Sequence, residues 1–108
     1  STQGIAASSN KNGGFLNPTS IRIFNNQIYV ADNGNNRIQR FKIDGTFDGW
    51  IGGTENEPLE RWRYDEAETI YGSEDGFLAS PFDVIFIERS LLIADGHNAR
   101  VMVIEKED

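Results

Sequence analysis

Two stretches of this chain repeat one another 63 residues apart, and that repeat limits the fold more than any other feature. Pro18 to Asp32 and Pro81 to Asp95 each run 14 steps from proline to aspartate. Ala31-Asp32 returns as Ala94-Asp95, Asn35 as Asn98 and Arg37 as Arg100, while Ile38 and Phe41 return as Val101 and Ile104. Gly76-Phe77-Leu78 likewise echoes Gly14-Phe15-Leu16. A chain that writes one supersecondary unit twice stacks the copies, because a single unit cannot bury its hydrophobic surface alone.

The unit is a meander of short strands. Ser20 to Phe24 alternates, with Ile21 and Ile23 on one side and Arg22 on the other. Asn25-Asn26 follows, and asparagine tolerates the positive φ of a two-residue hairpin. Gln27 to Ala31 is rich in β-formers, and Asp32 to Asn36 is a run of turn residues. Arg37 to Ile43 alternates again, Asp44-Gly45 signals a second hairpin, and Phe47 to Ile51 makes a fourth strand before Gly52-Gly53. The second copy stops after its third strand, at Ile104, in a charged tail.

Repeated four-stranded meanders are the blades of a β-propeller. The expected fold is therefore all-β: an N-terminal segment (1–14), a first blade (15–53), an insertion (54–75) and a second blade lacking its fourth strand (76–108). Propeller repeats take about 40–45 residues, so the excess in the period is close to the length of the insertion. Asn56 is placed to cap a short helix there, with Pro58 at its first position, where a missing N–H costs nothing. Helix and irregular excursion both remain open for that segment.

Two blades do not close a ring. Either further blades come from a longer parent chain, or copies assemble head to tail, a cyclic trimer of six blades being favoured among oligomers. Gln3 to Ser8 is then expected to act as an outer strand completing a neighbour's last blade. The chain opens Ser-Thr-Gln rather than with Met, which suggests an excerpt.

Composition narrows the function classes. Net charge is -7. Thr54 to Asp75 holds eight of the acidic residues and only two basic ones, Arg61 and Arg63, so that segment alone is -6. Such a surface repels phosphate backbones, and no nucleic-acid partner is expected. No apolar run approaches the ~18 residues that would suggest a membrane span. With no cysteine, disulfides and thiolate zinc sites are excluded; the compartment is left open, with a lean to exported or extracellular material.

The run Ile28-Tyr29-Val30-Ala31-Asp32-Asn33-Gly34-Asn35-Asn36-Arg37-Ile38-Gln39-Arg40-Phe41, after Pro18 and before Asp44-Gly45, resembles an NHL repeat. Leu92 to Val101 is a looser match, with Ala99 in place of the second asparagine. The resemblance implies a β-propeller, often six-bladed, and mostly a binding module: some members bind RNA, some proteins, some act as bacterial extracellular sensors. A related lyase cleaves hydroxyglycine peptides with zinc.

Candidate chemistry is sparse. Asp32/Arg37 and Asp95/Arg100 are charged and repeated, and a feature of every blade shapes the blade rather than marking a unique site. His97 is the only histidine, too few for a zinc lyase; no metal or cofactor is expected. Asp44, Thr46, Asp48, Gly49 and Glu55 have calcium-loop spacing, but the flanks read as strands rather than helices. No catalytic residues are assigned. The ligand-binding candidates are Arg61, Trp62, Arg63 and Tyr64, with Tyr71 and His97, since Trp, Tyr and Arg anchor interfaces. The insertion that carries most of them is expected to open on the same face as Asn33 to Asn36 and Gly96 to Asn98. The expected function is a non-enzymatic binding or scaffolding module for a protein, peptide or glycan. The alternative is a propeller enzyme of lyase or lactonase type with a metal in the central channel.

Overall fold

The alternating segments become seven strands in two antiparallel sheets. The structure, a computed structural model, describes residues 11–54, 61–69, 71–72, 77–88, 90–98 and 100–105. Strands β1 (Pro18–Phe24), β2 (Gln27–Asp32), β3 (Arg37–Lys42) and β4 (Phe47–Ile51) pair in sequence order. Strands β5 (Pro81–Ile87), β6 (Ser90–Asp95) and β7 (Arg100–Glu105) form the second sheet in the same way. The expected outer strand Gln3 to Ser8, the helix start at Asn56 and Pro58, and the end of the charged tail lie outside the described residues.

Turn chemistry explains the register. Asn25 and Asn26 take φ of 50° and 60°, the doubly left-handed pair that matches strand twist in a tight hairpin. Strand β1 begins at Pro18, two residues before the alternation suggests, because a register irregularity between Pro18 and Ser20 lets Pro18 still face Asp32. The same irregularity recurs between Pro81 and Asp83. Ile43, expected to end β3, instead begins the turn to β4.

The two sheets pack face to face, one face of each turned inward. The first sheet contributes Tyr29, Ala31, Ile38 and Ile51; the second contributes Val84, Leu91 and Ile93, with Leu78 from the segment before it. Phe24 stacks on Phe86 at 4.2 Å and 3°, and Tyr29 meets Phe86 edge-on at 4.6 Å. Offset and edge-on ring pairs add about 0.5–1.5 kcal/mol each beyond area burial. Strands β1 and β5 run beside one another and are tied by polar bonds. Arg22 donates through Nη2 to Asp83 Oδ2 at 2.7 Å, Ser20 Oγ donates to Asp83 Oδ1, and Thr19 Oγ1 donates to the Phe82 carbonyl at 2.7 Å.

The insertion does not form a helix over its described part. Arg63 pairs with Trp50 through two backbone bonds of 2.7 and 2.8 Å, and Thr54 faces Thr69 in a second bridge. The insertion thus touches the outer edge of the sheet at two separate points, Trp50 in β4 and Thr54 just past it. It covers an edge that would otherwise offer unpaired backbone groups.

Candidate functional site

Each blade carries the same buried lock at its β-turn. In the first, Asp32 accepts bonds from the Leu16 amide (2.8 Å), Asn35 Nδ2 (2.9 Å), Arg37 Nε (2.9 Å) and Gln39 Nε2 (3.0 Å). In the second, Asp95 accepts from the Ala79 amide (2.6 Å), Asn98 Nδ2 (2.8 Å) and Arg100 Nε (2.9 Å). Each arginine also reaches back, Arg37 to the Gly14 carbonyl (2.9 Å) and Arg100 to that of Phe77 (2.7 Å). Each turn is closed by a further amide, Gly34 to the Leu16 carbonyl and His97 to the Ala79 carbonyl. These pairs all lie 63 residues apart. Leu16 therefore corresponds to Ala79, and the match of Gly14-Phe15-Leu16 to Gly76-Phe77-Leu78 is one residue out of step. The cause is an extra residue in the second copy between that tripeptide and the strand proline.

The lock leaves glycine little alternative at one position. A Cβ on Gly34 would stand 2.6 Å from the Leu16 carbonyl oxygen, the same oxygen that the Gly34 amide bonds. A backbone contact of that kind cannot swing aside.

The six ligand-binding candidates fall into two groups. Arg61, Trp62, Arg63 and Tyr64 lie along the outer edge of β4. There Trp62 is half-buried, edge-on to Tyr29 at 5.7 Å with the Arg40 guanidinium 4.2 Å above its ring. Arg63 is buried; it donates to Thr54 Oγ1 (3.1 Å) and Asp65 Oδ2 (2.8 Å) and sits 5.1 Å from the Trp50 ring. That bond from Arg63 is the chief reason the Asp65 carboxyl lies below the usual carboxylate range. Tyr64 is exposed, but its hydroxyl accepts from Arg40 Nη2 (3.0 Å) and donates to Asp48 Oδ1 (3.3 Å). Arg61 is exposed at the start of the stretch. Trp62 and Arg63 thus dock the insertion onto the blade. Arg40 and Asp48 hold this edge together; the sequence offered Asp48 only as part of a calcium-like spacing and gave Arg40 no functional role.

Tyr71 and His97 form the second group, at the end of the molecule that carries the β-turns. Both are exposed, their rings are edge-on at 5.7 Å, and Tyr71 Oη bonds His97 Nδ1. Beside them the insertion returns over the first turn: Thr69 Oγ1 donates to the Asn35 carbonyl. A polar cleft of about 160 Å³ lies between Gly34 to Arg37 and Ala67 to Thr69. Of the insertion, residues 67–69 and 71–72 therefore share the turn face as expected, whereas 61–64 do not. The calcium-like spacing falls across the β3–β4 hairpin, where Asp44 Oδ1 accepts the Thr46 amide (2.9 Å) and Asp48 binds Gln27 (2.7 Å). Among the described residues, no three His, Cys, Asp or Glu side chains are grouped to hold a metal ion.

Residues 15–41 match the family model described as NHL repeat. That span, a quarter of the chain, is similar to an NHL repeat. The matched span runs from the segment before β1 through β2, its turn and most of β3, so it contains Asp32 and the four groups that donate to it. No curated protein matches the chain. The NHL match and the two antiparallel meanders of an all-β chain are consistent with propeller blades.

Proposed function

We propose that the chain is a non-enzymatic binding module that takes a peptide, protein or glycan on its turn face. The observation that supports this is the convergence of three otherwise separate segments there. The turn after β2 meets residues 67–69 around a polar cleft, and the turn after β6 meets residues 71–72, where Asn98 Nδ2 donates to the Gly72 carbonyl (2.8 Å) and Tyr71 bonds His97. Loops held by a rigid scaffold are where binding residues concentrate, and a tyrosine offers a large amphipathic contact at low entropic cost. Glu68 and the turn carbonyls supply acceptors for hydroxyl or amide donors of a ligand.

Selection of random peptides on the immobilised chain tests the reading. Binders are expected to lose at least tenfold in affinity to Tyr71→Ala and His97→Ala, both exposed and so expected to leave the thermal midpoint within a few degrees. Binders insensitive to both substitutions, yet blocked by a change on a sheet face, would overturn it.

A further inference from the structure

Each sheet has a second face, and both second faces are apolar and open. On the first sheet Phe15, Ile21, Ile28, Val30 and Phe41 line a cavity of about 440 Å³ open to solvent, with Ile21 and Ile23 more than 60% exposed. On the second sheet Ile85, Leu92 and Val103 stand in one cross-strand row. There Ile85, Val101 and Val103 are 46, 59 and 60% exposed.

The repeat shows what fits them. Shifted by 63 residues, the open face of the first sheet becomes the buried face of the second: Ile21, Ile23, Ile28 and Val30 map onto Val84, Phe86, Leu91 and Ile93. By the same shift Tyr29, Ala31 and Ile38, the buried face of the first sheet, map onto Leu92, Ala94 and Val101. The open faces are therefore the two halves of the interface that already exists between the blades. Charge follows the same rule. Across the existing interface Arg22 pairs with Asp83. By the repeat the positions equivalent to them are Ile85, exposed on the second sheet, and Ser20. Both members of the ion pair are replaced together, so the open faces can meet without stranding a charge, which would cost heavily.

We infer that the second-sheet face of one copy docks on the first-sheet face of another, continuing the blade stack head to tail. Such an interface is heterologous and closes into a ring when its rotation allows.

Analytical ultracentrifugation of the 108-residue chain with two variants tests this. Ile21→Asp spoils the first-sheet face and Val101→Asp the second-sheet face; both side chains are exposed, so near-UV circular dichroism should stay native. A variant that fails that check is replaced by Ile23→Asp or Val103→Asp on the same face. Wild type is expected to show a concentration-dependent mass above 12.1 kDa. Each variant alone stays at one chain mass, and an equimolar mixture reaches two chain masses and stops, because each pair has one good face of each kind. Wild type that remains monomeric up to its solubility limit, a single variant that still assembles, or a mixture that does not pair would each overturn the inference.

Discussion

Asp32 is a carboxylate with no exposed surface, and its partner Arg37 is nearly as deeply buried. Removing one member of such a pair costs more than the pair itself contributes, since the other charge stays buried. Asp32→Asn is expected to cost about 3–5 kcal/mol, and its amide would also turn donors toward donors. Asp95→Asn should cost clearly less, because Arg100 is 23% exposed and water can solvate it. Urea denaturation of the two variants checks the order; equal costs, or a neutral Asp32→Asn, would contradict the lock. The Asp and Arg of the lock were legible in the sequence through their repetition. Gln39, which bonds both Asp32 and the Gly14 carbonyl (2.6 Å), was not. A polar residue in an alternating strand looks like a solvated one until the segment before β1 folds over it.

Strands were the legible elements, since alternation and turn residues act locally. The path of the insertion was not, because it depends on which backbone groups β4 leaves unpaired and on where Trp62 finds a ring to pack against. The contact of β1 with β5 was also hidden, and it carries a pH dependence. Burial pushes the Asp83 carboxyl up, but bonds from Arg22, Ser20 and the Val84 amide outweigh it, and the carboxyl lies below its usual range. A carboxyl lowered in the folded state stabilises above its unfolded value, and that stability is lost as pH falls through the folded one. Wild type is therefore expected to be more stable than Asp83→Asn at neutral pH. The gap should close on acidification below the ordinary carboxylate range. Thermal melts of both proteins across that range check it. Asp44 and Asp65, also lowered, remain in both and cancel. A gap that persists in strong acid would show that Asp83 acts through packing rather than charge.

At the scale of the molecule, the two blades are halves of one core. Ile93 is fully buried in the second sheet, and it joins Tyr29, Ile38 and Ile51 of the first in one cluster. Tyr29 touches Phe86 on one side and Trp62 on the other, so the blades should unfold together. Both tryptophans, Trp50 and Trp62, report on the first blade and its insertion alone. The most direct measurement is urea unfolding of Ile93→Ala at fixed protein concentration, followed by tryptophan emission. Truncating a buried isoleucine costs about 2–5 kcal/mol. The stacked-blade account predicts that the tryptophan midpoint falls by that full amount and coincides with the midpoint from far-UV circular dichroism. A tryptophan transition that stays at the wild-type midpoint while the second blade melts earlier would mean that the blades fold separately, and the account of one shared interface would fail.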